Sequence, residues 1–182
     1  MGGADVLDLR NFATTEHLKD GTPVTLRAIR PDDKPRLLKA FRELEPESIY
    51  MRFFAHRNAL TDEDLRRATE VDFVRDVALV VTVGQGEGET IIGGARYDVF
   101  ESDGVRSGEI AFTVEEEYQG QGLASRLLRH LIRIAGERGL ARLEADVLQR
   151  NGAMLAVFSR CGLPMTVERL DDVIHVTLTL AE

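Results

Sequence analysis

The apolar positions of this chain change period several times. Val24–Ile29 alternates and predicts a first strand. Leu37, Leu38, Phe41 and Leu44 then recur at helical spacing. Val77–Val83 is almost wholly apolar, the pattern of a strand buried on both faces. Thr90–Tyr97 predicts another strand. From Glu109, Ile110, Phe112 and Val114 point one way and Glu109, Ala111 and Thr113 the other. Leu127, Leu128, Leu131, Ile134 and Ala135 mark one face of a long helix. Arg142–Val147 reads as a strand, and Leu155 and Phe158 as the inward side of a helix begun by Asn151. Val167–Leu170 and Val173–Leu180 alternate around Asp171-Asp172 as a closing hairpin.

Turn and cap residues punctuate the pattern. Lys19-Asp20-Gly21-Thr22 predicts a turn, and Pro31-Asp32-Asp33 a helix start. Pro46 ends that helix, and Ser48 caps a short second one through Tyr50, Met51 and Phe54. Thr61 caps a third. Gly84-Gln85-Gly86-Glu87-Gly88 resembles a nucleotide loop but leads into a strand instead of a helix, so it reads as a hairpin loop. Ser102-Asp103-Gly104 is a further hairpin turn, and Gly139 and Gly162 end helices. The order predicts a mixed α/β (α+β) domain with a largely antiparallel sheet of about six or seven strands and about four helices. Residues 1–18 are expected as an N-terminal arm and 19–182 as a single domain.

Between the strand from Glu109 and the helix of Leu127 lies Gln119-Gly120-Gln121-Gly122-Leu123-Ala124. Two glycines one residue apart enter a helix directly. Such a turn leaves the first N–H groups of the helix unpaired and free of side-chain cover, at the positive end of the helix dipole. That is a phosphate-binding arrangement.

Composition narrows the picture. The 182 residues carry a net charge of −8, and 43% are hydrophobic; the pI is about 5.1 and the mean hydropathy −0.16. The acidity argues against nucleic acid. No apolar run reaches the ~20 residues that span a bilayer, and no signal pattern opens the chain, so the expected location is cytoplasmic. Cys161 is the single cysteine, which excludes an internal disulfide. His17, His56, His130 and His175 show no metal spacing. Monomer or homodimer both fit.

Gln119-x-x-Gly122-x-Ala124, after a strand and opening a helix, resembles the acetyl-coenzyme A pyrophosphate motif of the GNAT family of N-acetyltransferases. Asn151 followed by Gly162 resembles that family's second signature. The stretch from Asp20 to Phe54, and Leu60-Thr61-Asp62-Glu63-Asp64-Leu65 after it, are similar to the acetyltransferase domain of bacterial protein lysine acetyltransferases. The resemblance covers Gly21 to Leu180. It leaves no room within 182 residues for the regulatory or acyl-CoA-synthetase-like domain such proteins usually carry.

The resemblance implies an acetyl-CoA-dependent transfer to a primary amine, on a protein lysine, a small amine or an amino acid, or else a non-catalytic acyl-CoA sensor. Backbone groups from Gln119, Gly120, Gln121, Gly122, Leu123 and Ala124, with Ser125 and Arg126, would hold the pyrophosphate. A backbone N–H near Thr113–Val114 would bond the pantetheine and polarise the thioester. Glu109 matches the strand glutamate that serves as base, and partial desolvation would fit it for that task. Asn151 caps its helix, bonds the pantetheine arm, or both. Phe158 stands where many members have a tyrosine near the coenzyme sulfur. A side-chain acid is then unnecessary, or Tyr118 or Tyr97 substitutes. No metal is implied.

Overall fold

A computed structural model describes residues 9–43, 60–114 and 120–180. Its strands are β1 (Ala13–His17), β2 (Pro23–Ala28), β3 (Asp76–Val83), β4 (Thr90–Ser102), β5 (Val105–Val114), β6 (Arg142–Leu148), β7 (Met165–Leu170) and β8 (Val173–Thr179). They form one eight-stranded sheet in the order β1-β2-β3-β4-β5-β6-β8-β7. The helices among the described residues are α1 (Lys34–Glu43), α2 (Asp62–Thr69), α3 (Leu123–Glu137) and α4 (Gly152–Ser159). The expected mixed, mainly antiparallel architecture holds, with one or two strands more than anticipated. The helix expected from Ser48 lies outside the described residues.

Part of the additional sheet comes from the stretch expected as an arm. Ala13–His17 pairs antiparallel with β2 as an edge strand, and Leu9 and Leu18 are buried. The sequence ATTEH carries no apolar stripe, so alternation gave no signal there.

Among the described residues only β5 and β6 pair in parallel, because α3 carries the chain across the sheet between them. Leu127, Leu128, Leu131, Ile134 and Ala135 are all buried, as the spacing predicts. They join Leu79, Tyr97, Ile110, Leu143 and Val176 in one apolar cluster. Gly139 (φ +79°) ends this segment in a left-handed turn. At Gly108 the space a Cβ would take is closed by Leu140, Leu143 and Tyr97 at 3.0–3.1 Å, so glycine lets the helix end settle onto β5.

The other sheet face carries α1 and α2. Thr61 caps α2 through a reciprocal box with Asp64. At the start of α1, Asp33 is fully buried and accepts from both terminal nitrogens of Arg27 at 2.7 and 2.8 Å. It also accepts from the Arg30 N–H and from Arg36, while Glu89 binds Arg27 and Thr82. Burial works against ionising Asp33, but these donors outweigh it and hold its pKa below the ordinary carboxylate value. The network anchors α1 over β2 and β3.

Candidate active site

The two faces of the sheet meet at a fork. β5 and β6 pair at Ser107–Arg142, Gly108–Leu143 and Glu109–Glu144, and then no further. Both strands continue, to Val114 and Leu148, without pairing to each other. Main-chain groups of β5 that would meet β6 therefore line a gap. Thr113 and Val114 stay attached to Gly94 and Gly93 of β4 on the other side. Glu109 is the last paired residue, at the apex of the fork.

Past β5 the chain reaches the glycine turn; Gln119 and Tyr118 lie outside the described residues. Gly120 (φ +81°) and Gly122 (φ +87°) are both left-handed, and Gly122 caps α3 without a side-chain bond. The first helical bond runs from the Arg126 N–H to the Gly122 carbonyl at 3.1 Å. The N–H groups of Leu123, Ala124 and Ser125 have no acceptor among the described residues. These are the bare amides the motif predicts. The Leu123 side chain is buried, so only its backbone is offered, whereas Ser125 is exposed.

Arg126 departs from expectation. Its guanidinium donates to the Gln121 carbonyl at 3.0 Å and to the His17 carbonyl at 2.6 Å, and faces the Glu16 carboxylate at 3.5 Å. It is engaged in bracing the turn.

Glu109 lies on the face opposite Ile110, as alternation predicts, but it is exposed. The desolvation expected for it is not supplied by the described residues. What surrounds it instead is charge. Asp76 of β3, Asp98 of β4, Glu109 and Glu144 of β6 are register partners in a single row across four strands. Arg96 closes one end, 2.7 Å from Asp98 and 3.8 Å from Asp76. His175 of β8 closes the other, bonding Glu144 at 2.6 Å and Asp146 at 2.7 Å. Burial opposes the His175 charge, yet the two carboxylates outweigh it and raise its pKa above the ordinary imidazole value. Asp76 is pushed up to about 6, by burial first and then by Asp98, with Arg96 opposing. Among the described residues Glu109 alone in the row has no cationic partner. Sequence reasoning missed this row because its members lie on four strands far apart in the chain.

Asp76, Asp98 and Arg96 also edge a cleft of about 490 Å³ between α1, α2 and the sheet, with Leu37, Phe41, Leu60 and Ile91 among its apolar walls. Ala111 and Thr113 reach it from β5.

Other expected residues fall elsewhere. Phe158 is 1% exposed and packs edge-on against Phe112 at 5.8 Å, on the α3 face. That makes it a core residue with no surface for a coenzyme. Tyr97 is fully buried, and burial pushes its hydroxyl up to about 12; it is removed as an acid. The Asn151 side chain accepts from the Met154 N–H at 3.3 Å, the cap expected of it. Cys161 is half-buried against the core. No helix among the described residues is long and apolar enough to cross a membrane.

Comparison with known proteins agrees with this geometry. The chain is 36% identical over 137 residues to the acetyltransferase Pat of Mycolicibacterium smegmatis, a match covering 75% of this chain and 40% of that protein. It thus spans well under half the length of that relative. The crystal structure of the GNAT domain of S. lividans PAT superposes with a TM-score of 0.82 at 34% identity, over 92% of this chain and 96% of that one. At 21% identity and a TM-score of 0.69, yncA of Salmonella typhimurium, solved with its cofactor acetyl-CoA, shares the fold over 87% of this chain and 95% of its own. The model of the acetyltransferase (GNAT) family matches residues 37–163. With fork, glycine turn and sheet order in the same chain, the protein belongs to the acetyltransferase (GNAT) family.

Proposed function

We propose that the chain moves the acetyl group of acetyl-coenzyme A directly to an aliphatic primary amine, such as the side chain of a protein lysine. The observation that carries this reading is the course of one segment. It runs from Glu109 at the apex of the fork, along the gap beside Thr113 and Val114, to the bare amides after Gly122. A coenzyme with its diphosphate on Leu123–Ser125 and its pantetheine in the gap has its thioester directed toward the fork.

The chemistry follows from the groups along that line. A free lysine amine has a pKa near ~10.4 and is mostly protonated at neutral pH. The carboxylate row and the cleft with its aliphatic walls suit an alkylammonium. Glu109, without a cation of its own, takes the proton directly or through one water. The freed nitrogen attacks the thioester carbonyl, whose oxygen leans on an N–H near Thr113–Val114. The C–N bond forms, the C–S bond breaks, and the second amine proton passes to the departing coenzyme A thiolate, directly or through water. Tyr118 is the one side-chain acid this scheme retains, because Phe158 has no proton to give and Tyr97 is buried.

A coenzyme-release assay against a panel of alkylamines, lysine peptides and intact proteins tests the reading. Thiol release with at least one primary amine, and not with its N-methylated tertiary analogue, is the expected result. Acetyl-CoA binding without release for any acceptor would mean a sensor module instead.

A further inference from the structure

The glycine turn is gripped from outside the family's motif, by the N-terminal hairpin. Arg126, Arg129, His130 and Arg133 recur at i, i+3, i+4 and i+7 on α3, and β1 lies along them. The Glu16 carboxylate faces Arg126 at 3.5 Å, Arg129 at 3.2 Å and His130 at 2.7 Å, and is 14% exposed. Phe12 adds a ring contact to His130 at 5.3 Å and lies under Arg133 at 5.6 Å. Through this clamp Arg126 is held with one terminal nitrogen 2.6 Å from where a Gly122 Cβ would sit, bonded to the carbonyls of Gln121 and His17. Two of its five N–H donors are bonded to these carbonyls, and its charge is shared with Glu16.

A second cation stands nearby. Lys19 follows buried Leu18 in the tight β1–β2 turn, which is closed by Leu18–Thr22 and Gly21–Leu18 main-chain bonds of 2.9 Å. Its Cε lies 3.7 Å from the same Gly122 Cβ position. Asp20, the nearest carboxylate in sequence, is turned to the Thr22 N–H. Among the described residues Lys19 has no ion-pair partner, and its side chain is exposed beside the bare amides of Leu123–Ser125.

We propose that the β1–β2 hairpin is part of the coenzyme site. Glu16 is a positioning residue that keeps Arg126 bracing the turn, and Lys19 supplies the cation that binds the coenzyme's diphosphate. The inference rests on the acetyl-CoA reading above and extends it to residues outside the matched motif. The electrostatic logic is simple: three neutral N–H donors and a helix dipole do not balance a doubly charged diphosphate, and this chain is acidic overall.

The test is calorimetric binding of coenzyme A and, by displacement, of pantetheine, which lacks the diphosphate. Lys19→Gln, at an exposed position, should melt like the parent. It should weaken coenzyme A by roughly tenfold, and flatten its salt dependence, while pantetheine is unchanged. Glu16→Gln should weaken coenzyme A by roughly fivefold with the same selectivity. Unchanged coenzyme A affinity in Lys19→Gln would overturn the proposal. So would equal loss for both ligands in Glu16→Gln, which marks a merely structural role. A parent protein that binds no coenzyme A is a separate failure, that of the acetyl-CoA reading itself.

Discussion

On the proposed coenzyme side, a single stretch from β5 into α3 supplies the fork strand, the left-handed glycines and the bare amides, and what it offers is main-chain groups. On the proposed acceptor side, the groups on offer are side chains, and Asp76, Asp98, Glu109, Glu144 and His175 come from five strands. Main-chain donors are fixed once the helix forms, so that half is preorganised by secondary structure alone. The carboxylate row exists only when the whole sheet is assembled. Its charges are then set by neighbours, with Arg96 and His175 compensating the ends and leaving Glu109 open. Binding is thus expected to be robust to changes on the acceptor face, and turnover to be sensitive to them.

Substitutions that separate binding from turnover test this contrast. The largest effect is expected for Gly122→Glu, which puts a side chain at a φ of +87° and a carboxylate against the bare amides. Coenzyme A binding should weaken by more than about a hundredfold, with the melting temperature still showing a folded protein. Unchanged affinity would remove the turn from the site. Next, Glu109→Gln should lower kcat by roughly a hundredfold with coenzyme affinity retained. If kcat survives, Glu109 is not the base.

Smaller effects probe how the row is tuned. His175→Gln leaves Glu144 and Asp146 uncompensated, with Glu168 opposite in register. The His175 pKa is raised, so its charge is fully present below about 6.5 and disappears as pH rises through the higher folded value. The variant's kcat/KM should change by no more than roughly fivefold, and its pH profile should lose the inflection that this discharge causes. A profile identical to the parent's would disconnect His175 from Glu109. The smallest effect is expected for Asp76→Asn. The carboxyl's raised pKa of about 6 favours the fold most below the ordinary value near 3.9, and that benefit is lost as pH rises through 6. Asparagine should therefore raise Tm by roughly 1–2 °C at pH 8 and by less at pH 5. The opposite ordering would mean that burial and the neighbouring Asp98 do not govern this position.

The contrast also explains which parts could be read from sequence. The glycine turn, the α3 stripe, the Thr61 cap and the Asn151 cap are local, each decided by residues within a few positions of one another. β1 escaped notice because ATTEH has no greasy face and is held by Glu16 against a helix more than a hundred residues away. The His175 clamp joins positions 29 and 31 residues apart. The offset of Phe158 from Asn151 along a helix does not say how deep the side chain goes. Here it ends against Phe112 in the core. Desolvation of Glu109 was likewise a tertiary property, and the sheet surrounds it with charge instead.

The most direct test of the central claim is an amide-resolved NMR titration with coenzyme A. The N–H signals of Gln121, Gly122, Leu123, Ala124 and Ser125 should shift saturably and together, while those of Asp76 and Asp98 on the acceptor face stay in place. Saturable binding that leaves the Leu123–Ser125 amides unmoved would contradict the account.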